Sequence, residues 1–248
     1  MKRLALLAIG AAAIIGLAAE PAMAQSFTLN LGDEGGGGTT GRIVQLVALM
    51  TVLSLAPGIL IMITSFTRIV VVLSILRAAL GAQQAPPNMV LVSLAMFLTA
   101  FVMAPTFQQA YVQGIAPLIE QKIDEKTAFT QVAAPFHDFM MSQVREKDLV
   151  LFMNMAKIDK VETPADTPLQ ALIPAFMISE LRRAFEIGFL LFLPFLIIDL
   201  VVASVLMSMG MMMLPPVMIA LPFKLIFFVM VDGWFLIAGS LVRSFGVG

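Results

Sequence analysis

The sequence contains no cysteine and a single histidine, His137. Without cysteine the chain has no disulfide, no thiolate nucleophile and no thiolate metal ligand. Zinc sites usually combine several cysteine and histidine side chains, so one histidine argues against a conventional metal site. This histidine also lacks the companion residues that a hydrolytic triad would need. We therefore expect no catalytic residue, no metal and no cofactor, and we interpret His137 as a surface or helix-packing residue.

Charged residues are also scarce. They make up 12% of the chain, whereas hydrophobic residues make up 60%. Ordinary soluble domains contain ~25% charged and ~45–50% apolar residues. Together with a mean hydropathy of +0.97, this composition predicts an integral membrane protein. The net charge of −1 provides no basic surface for nucleic acid. The scarcity of catalytic and metal-ligating side chains fits a scaffold or conduit better than an enzyme.

The beginning of the chain has the order of a secretory signal. Its features are Lys2 and Arg3, an apolar stretch over residues 4–19, and Ala22-Met23-Ala24. This order is typical of a cleavable signal peptide, so residues 1–24 are predicted to be removed by cleavage between Ala24 and Gln25. The new N-terminus would be periplasmic; a retained first helix is the alternative. Residues 25–41 contain a run of glycines and are predicted to form a flexible leader.

Residues 42–105 contain the first pair of apolar helical segments. Because proline removes a helix hydrogen bond, we expect a kink or break near Pro57 and a helix end at Pro105. Asn88 suits the N-cap position of the second segment. Arg68 interrupts the first segment; a membrane-edge anchor is the commoner role for such an arginine, and a pore-lining or inter-subunit charge is the alternative.

Residues 106–173 are predicted to be a charged helical region that faces the periplasm. Most of the charged residues of the chain fall between Glu120 and Glu186. Apolar residues recur here at intervals of three and four, which predicts an amphipathic helix packed against another helix of the same assembly. They are Phe129, Val132, Ala133, Phe136, Met140 and Val144. Thr167 followed by Pro168 predicts the start of the next helix, with Thr167 as its cap.

Residues 174–248 carry the most information. Apolar runs over 187–207 and 217–241 each reach the ~20 residues that cross a hydrocarbon layer of ~30 Å, and a turn joins them. This pattern predicts a second helical hairpin. A collar of charged residues precedes the first run at spacings that permit same-helix pairs: Glu180, Arg182, Arg183 and Glu186. Exposed same-helix pairs stabilise a helix only weakly, so a larger contribution from these charges would come from contacts between subunits.

The hairpin contains an acidic and a basic residue, Asp199 and Lys224, at positions of similar depth. Folding the hairpin at Met212 brings them to nearly the same height. A lone charge in hydrocarbon costs about 2.5–3.5 kcal/mol on insertion scales, so intramembrane charges are candidates for function. Two interpretations stay open: a salt bridge that fixes the register of the hairpin, or a direct role in a transport path.

The turn of the hairpin is rich in methionine: Met209, Met211, Met212 and Met213. Methionine is flexible and polarizable, so it fills irregular spaces. A glycine and two prolines prevent the segment from continuing as a helix. The turn is either a packed apolar loop without a special role or a soft ring that seals a pore when several copies converge.

Several long stretches of the sequence resemble one family. They are ELRRAFEIGFLLFLPFLIIDLVVASVLMSMGMMMLPP, LPFKLIFFVMVDGW, ITSFTRIVVVLSILRAALG and QQAPPNMVLVSLAMFLTAFVMAP. They are similar to the FliP/SctR family of type III secretion export-gate membrane proteins, in particular to its flagellar members. The resemblance covers about residues 42–245, nearly the whole chain after the predicted signal.

The resemblance implies a non-enzymatic, pore-forming subunit of the flagellar protein export gate. The expected location is the bacterial inner membrane at the flagellar basal body. The expected partners are further copies of the chain, FliQ and FliR, then FlhA and FlhB, membrane lipid, and the unfolded axial proteins whose export flagellum assembly requires. By position, the gasket of the pore falls on Met209 to Met213 and the hairpin charge pair on Asp199 and Lys224.

The sequence therefore predicts an all-α membrane protein. It has about four long apolar helical segments arranged as hairpins, plus the amphipathic middle region. The nearest alternative is the equivalent subunit of a virulence-type injectisome; the signal peptide and the glycine-rich leader favour the flagellar branch. A secondary transporter is a more distant alternative, because no internal repeat is visible and few polar groups could bind a solute.

Overall fold

The computed structural model describes residues 38–82, 85–158, 161, 163–211 and 215–246. Within these ranges every assigned segment is helical, which confirms the predicted all-α class. The α-helices are α1 (Gly38–Met62), α2 (Phe66–Leu80), α3 (Asn88–Ala110), α4 (Ala116–Ile119), α5 (Glu125–Gln143), α6 (Glu146–Met155), α7 (Leu169–Ser208), α8 (Pro216–Met230) and α9 (Gly233–Arg243). A π-helix, Tyr111–Ile115, joins α3 to α4. The predicted signal peptide, with Ala24 and Gln25, lies outside the described residues.

The described residues belong to two units, one up to Met50 and one from Thr51 onwards. The described part of the first unit is the beginning of α1. The cores and polar clusters discussed below all belong to the second unit.

Helix α2 is the central element of the second unit. It packs against α3, α7 and α8. Its large apolar side chains at i, i+3, i+4 and i+7 lie on one face and are almost completely buried, namely Ile69, Val72, Leu73 and Leu76, each at most 1% exposed. A helix with such an apolar face packs that face against other helices, and Val70 and Val71 add partly buried contacts on its other sides. Gly81, with a φ of 72°, ends the helix in the left-handed conformation that favours glycine.

Helix α7 is 40 residues long, or about 60 Å at 1.5 Å per residue. It continues through the boundary placed at residue 173, so the charged region and the hairpin share one helix. It begins at Leu169 with Pro168 in the cap position and without a side-chain capping bond, so the predicted Thr167 cap is wrong. The predicted Asn88 cap is also wrong, because Pro87 precedes α3 and Asn88 is already helical.

The break that the sequence allowed near Pro57 and the helix end predicted at Pro105 are wrong, and a kink at Pro57 stays a prediction. α1 continues through Pro57 to Met62, and α3 continues through Pro105 to Ala110. A proline removes one backbone bond, and apolar helices tolerate that loss where neighbouring groups satisfy the freed carbonyl. The chain breaks instead at residues 63–65, between α1 and α2.

The second apolar run of the hairpin is broken, although the sequence predicts one continuous helix. α8 and α9 meet at a bend of 64°, where Asp232 adopts a φ of 50°. Within the described ranges, two stretches are long and apolar enough to cross a membrane, Asn88–Ile119 and Leu169–Ser208. The count rises to four if Leu46–Met62 with α2, and α8 with α9, each form one bent span.

The predicted amphipathic helix corresponds to α5. Its buried residues include Phe136 and Met140, and it packs against α3 and α7 of the same chain. The sequence predicts that this helix packs against another helix of the assembly. In the structure its partners, α3 and α7, belong to the same chain. Phe129, which the periodicity assigned to the same face, is 73% exposed. Val132 and Phe136 instead pack with the core around Met103 of α3.

Replacing Gly114 with alanine is expected to destabilise the fold by about 1–3 kcal/mol, because the added methyl overpacks the contact between the π-helix and α5. A Cβ at this position would lie 2.5 Å from Val132 Cγ2 and 3.0 Å from the Ala128 carbonyl oxygen. The control is Gly58→Ala in α1, where a Cβ meets nothing within 4 Å. Thermal unfolding in detergent compares the two, and equal midpoints would contradict the prediction.

Candidate functional site

The first polar cluster lies around Arg68, near the beginning of α2. Its side chain is completely buried. The guanidinium donates from Nε to Glu180 Oε2 at 2.8 Å and from Nη2 to Glu180 Oε1, which makes a bidentate ion pair. Nη2 also donates to Gln143 Oε1 at 3.1 Å, and Nη1 donates to the carbonyl and hydroxyl oxygens of Ser244, each at 3.0 Å. The Phe245 ring covers the guanidinium at 3.7 Å.

This Arg68 cluster (Arg68, Gln143, Glu180, Ser244 and Phe245) corrects two expectations from the sequence. Arg68 is neither a membrane-edge anchor nor a pore-lining charge in this chain; it is an internal cross-link among α2, α5, α7 and the turn after α9. Arginine suits this position because its planar fork matches a carboxylate in two bonds and its flat face stacks on an aromatic ring. Sequence spacing gave no signal for it, since Arg68 and Glu180 are 112 residues apart.

The collar residues divide into a buried and an exposed part. Glu180 is completely buried in the Arg68 cluster, so it is not an inter-subunit charge and does not form the expected pair with Arg183. Arg183 donates to Gln143 Oε1 at 3.3 Å. Arg182 and Glu186 form the expected i,i+4 pair at 2.7 Å, and both side chains are about half exposed. This exposed pair and the partly exposed Arg183 remain candidates for contacts between subunits.

A second set of polar contacts holds the corner between α5 and α6 onto α7. Ser179 donates to Asp148 Oδ2 at 2.7 Å, and Arg145 Nε donates to the same oxygen at 2.8 Å. Burial by itself would raise the pKa of Asp148, but these hydrogen bonds and the Arg145 charge outweigh it and hold the pKa below its usual value. The carboxylate therefore stays ionised at neutral pH and fixes the corner to α7.

The hairpin brings Asp199 and Lys224 together. Lys224 Nζ lies 2.7 Å from Asp199 Oδ2 and donates to the Ala79 carbonyl oxygen of α2 at 3.0 Å. The lysine side chain is 4% exposed and the aspartate side chain 29%. Lysine near the C-terminal end of a helix also interacts favourably with the free carbonyls there. The pair thus ties both arms of the hairpin to the end of α2.

The Arg68 cluster and the Asp199–Lys224 pair hold α2 and α7 side by side in a parallel register. Arg68 meets Glu180, Ile75 meets Gly188, and the Ala79 carbonyl meets the lysine that pairs with Asp199. A Cβ at Gly188 would lie 2.4 Å from Ile75 Cδ1, so glycine is what permits this close approach. We use the name clamped pair for α2 with the part of α7 from Glu180 to Asp199.

The methionine turn extends past the clamped pair. Met209 and Met211 are 61% and 43% exposed, and Gly210 between them has a φ of 73° with no atom near its missing Cβ. Met212 and Met213 lie outside the described residues. Among the described residues, no group of three or more histidine, aspartate or glutamate side chains could hold a metal ion.

The fold and these clusters first define a class: an all-helical integral membrane protein whose buried charges are paired across helices and whose longest hairpin presents a methionine turn. The chain belongs to the FliP family, whose family model matches residues 49–241. Its similarity to individual members is high and extends over most of their length.

Three relatives, each named flagellar biosynthetic protein FliP, illustrate this similarity. The protein from Caulobacter vibrioides is 61% identical over 100% of this chain and 93% of its own length. The Bacillus subtilis protein is 59% identical, over 82% of this chain and 91% of its own. The Aquifex aeolicus protein is 50% identical, over 85% of this chain and 89% of its own.

Proposed function

We propose that this chain is a pore-forming subunit of the flagellar protein export gate. It would conduct unfolded axial proteins across the bacterial inner membrane, with no catalytic step of its own. One observation carries the proposal for the site: the α7–α8 hairpin is anchored by a partly buried charge pair and presents exposed methionines at its turn. Membership of the FliP family and the names of the relatives support the same function.

A pore of this kind requires several copies of the hairpin around one axis. We propose a homo-oligomer that also contains FliQ and FliR and contacts FlhA and FlhB at the flagellar basal body. Exposed Phe185 and Phe189 lie on α7 beside the exposed Arg182–Glu186 pair. Aromatic residues and arginine are enriched at protein interfaces, which favours a subunit contact over lipid at this face. After signal cleavage the N-terminus would lie in the periplasm.

The function is tested by deletion and by native mass. Deleting the gene should abolish secretion of axial proteins, and the plasmid-borne chain should restore it. The detergent-extracted chain should form an oligomer and gain mass when FliQ and FliR are co-expressed. Unimpaired secretion in the deletion strain would overturn the proposed function. A stable monomer that binds neither partner would remove the multi-copy pore.

If the methionines form the gasket, replacing Met209, Met211, Met212 and Met213 with alanine should leave assembly intact and raise ion leak. Alanine is shorter, so it leaves a gap where flexible thioether side chains had filled the constriction. Conductance of purified complexes in planar bilayers measures the leak. Met207→Ala, a 57% exposed methionine at the end of α7 before the turn, is the control. Unchanged conductance in the fourfold variant would remove the gasket assignment.

A further inference from the structure

Asp232 carries an exposed carboxylate at the bend between α8 and α9. In the part of the chain that the structure describes, this carboxylate forms no ion pair and no hydrogen bond. Aspartate often caps a helix, but the Asp232 side chain makes no capping bond to α9. Its backbone, with a φ of 50°, would accept asparagine equally well, because both residues tolerate the left-handed conformation. Neither the cap nor the turn therefore explains the negative charge.

The bend lies within the apolar depth of the hairpin. The Phe228 ring packs against Gly233, where a Cβ would lie 2.2 Å from the ring, and against Phe195 of α7, at 6.3 Å between ring centroids. Phe195 belongs to the apolar run over 187–207. Large apolar side chains are exposed around the bend: Val229, Met230, Val231, Trp234, Phe235 and Leu236. An ionised carboxylate in such surroundings is costly without a cation beside it.

Arg77 on α2 is a complementary charge. It lies on the partly open side of the helix, together with Val70, Ser74 and Ala78 at spacings of three and four residues. Among the described residues, Arg77 has neither an ion pair nor a hydrogen-bond partner. Arg68, the other arginine of α2, is completely buried and bonded at all three guanidinium nitrogens. The two arginines of α2 thus differ: one links the helices of the chain, and the other offers a free cation at its surface.

Arg77 and the bend lie at similar depths. In the clamped pair Ile75 is level with Gly188, so Arg77, two residues later, is level with about Leu190 of α7. Phe195, which marks the depth of the bend, lies about 7–8 Å farther along α7 at 1.5 Å per residue. A long arginine side chain can cover such a difference. Each chain therefore presents one charge of each sign at this depth, and within the described residues these two charges form no ion pair with each other.

We propose that Asp232 of one copy pairs with Arg77 of an adjacent copy of this chain. This inference rests on the proposed function, because it needs the homo-oligomer that the pore requires. A second copy is the partner that the charges favour, since the same chain supplies both signs at matching depth. The small side chains of Ser74 and Ala78 beside the arginine let a neighbouring helix approach closely.

The contact is head-to-tail, because the two charges belong to different elements of the chain. Each copy gives its carboxylate to one neighbour and its arginine to the other, and such contacts generate a ring when the rotation closes. The exposed apolar side chains around the bend surround the ion pair and exclude water from it. The pair thereby fixes the depth at which adjacent copies meet.

Charge reversal tests the pair through the native mass of the detergent-extracted chain expressed alone. Asp232→Arg and Arg77→Asp should each lower the oligomeric fraction about tenfold or more, because like charges then face each other at every contact. The double variant should regain most of the oligomer. Asp232→Asn keeps the backbone preference of the bend and removes only the charge, so it should cause a smaller loss. The control is Lys122→Asp, a reversal at a 70% exposed lysine, which should leave the mass unchanged.

Cross-linking between differently tagged copies tests whether the contact joins two chains, and the natural absence of cysteine makes it specific. One copy carries Ala78→Cys and the other Val231→Cys, so both charges stay in place. A short, reducible bis-methanethiosulfonate should join the two tags in one covalent dimer, and reductant should release it. The control combines Ala78→Cys with Lys122→Cys, an exposed position in the charged region, and should give no dimer.

The outcomes separate this contact from the proposed function. If the two tags do not co-purify, the homo-oligomer fails, and the multi-copy pore and the contact fail with it. If the tags co-purify without the covalent dimer, or the double charge variant is no better than the single reversals, the contact is wrong while the homo-oligomer stands. Asp232→Asn could also leave the mass of the chain alone unchanged and prevent the gain in mass from FliQ and FliR. The carboxylate would then pair with one of these partners, which overturns the second copy as its partner.

Discussion

Arg68→Ala is expected to prevent the chain from accumulating as a folded protein. The substitution leaves the Glu180 carboxylate completely buried without its partner and removes the group that Ser244 and Phe245 contact. Breaking a buried pair by removing one partner costs about 3–5 kcal/mol, a large fraction of the about 5–15 kcal/mol that stabilises a typical protein. The variant should therefore be degraded or trapped in aggregates, and motility should be lost with it.

The matched control is Arg182→Ala on α7. Its partner, Glu186, is about half exposed, so solvent screens this pair and its loss should change stability little. Membrane abundance by immunoblot and the thermal midpoint of the purified protein compare the two variants. A similar midpoint for both would mean that the Arg68 cluster does not stabilise the fold. Arg68→Lys should give an intermediate result, because lysine keeps the charge and loses the bidentate geometry.

Reversing either charge of the Asp199–Lys224 pair is expected to abolish export, and the double swap should restore part of it. Asp199→Lys places two like charges side by side, and Lys224→Asp does the same with two carboxylates. The double variant restores the attraction within the hairpin. Rescue should be incomplete, because an aspartate at position 224 cannot donate to the Ala79 carbonyl as the lysine does.

Secretion of axial proteins into the medium and swimming in soft agar measure this effect. The control is the same set of swaps at Glu120 and Lys122, an ion pair with both side chains more than half exposed, which should leave export unchanged. If the double swap at 199 and 224 is as defective as the single reversals, the pair does not act through mutual attraction. Its effect would then come from the contact with α2.

The sequence predicts those features of the fold that depend on local spacing. The depths of Asp199 and Lys224 follow from the helical rise and the position of the turn, and the structure places these side chains together. The break at Asp232 also has a local signal, since Asp-Gly is a typical turn dipeptide, but the apolar run around it suggested a continuous helix.

Other features depend on tertiary packing and have no local signal. Nothing near Arg68 indicates that Glu180 is its partner. From the sequence alone, a buried arginine that links helices therefore cannot be distinguished from an arginine at the membrane edge. Pro57 and Pro105 show the reverse case. Each proline disfavours the interior of a helix, but the surrounding apolar segment stays helical through it. The partner of α5 was missed because periodicity identifies a buried face and leaves its neighbour undefined.

The Arg68 cluster also has a consequence for biosynthesis. Its partners follow Arg68 by 75, 112 and 176 residues, so they leave the ribosome one after another. Gln143 and Glu180 are translated first, and the Ser244 oxygens and the Phe245 ring become available only after α9 has been synthesised. Until then a cationic side chain in α2 lacks its complete set of acceptors. The Arg68 cluster is therefore completed only after translation of the hairpin, and the membrane insertion machinery must accommodate an incompletely paired arginine until then.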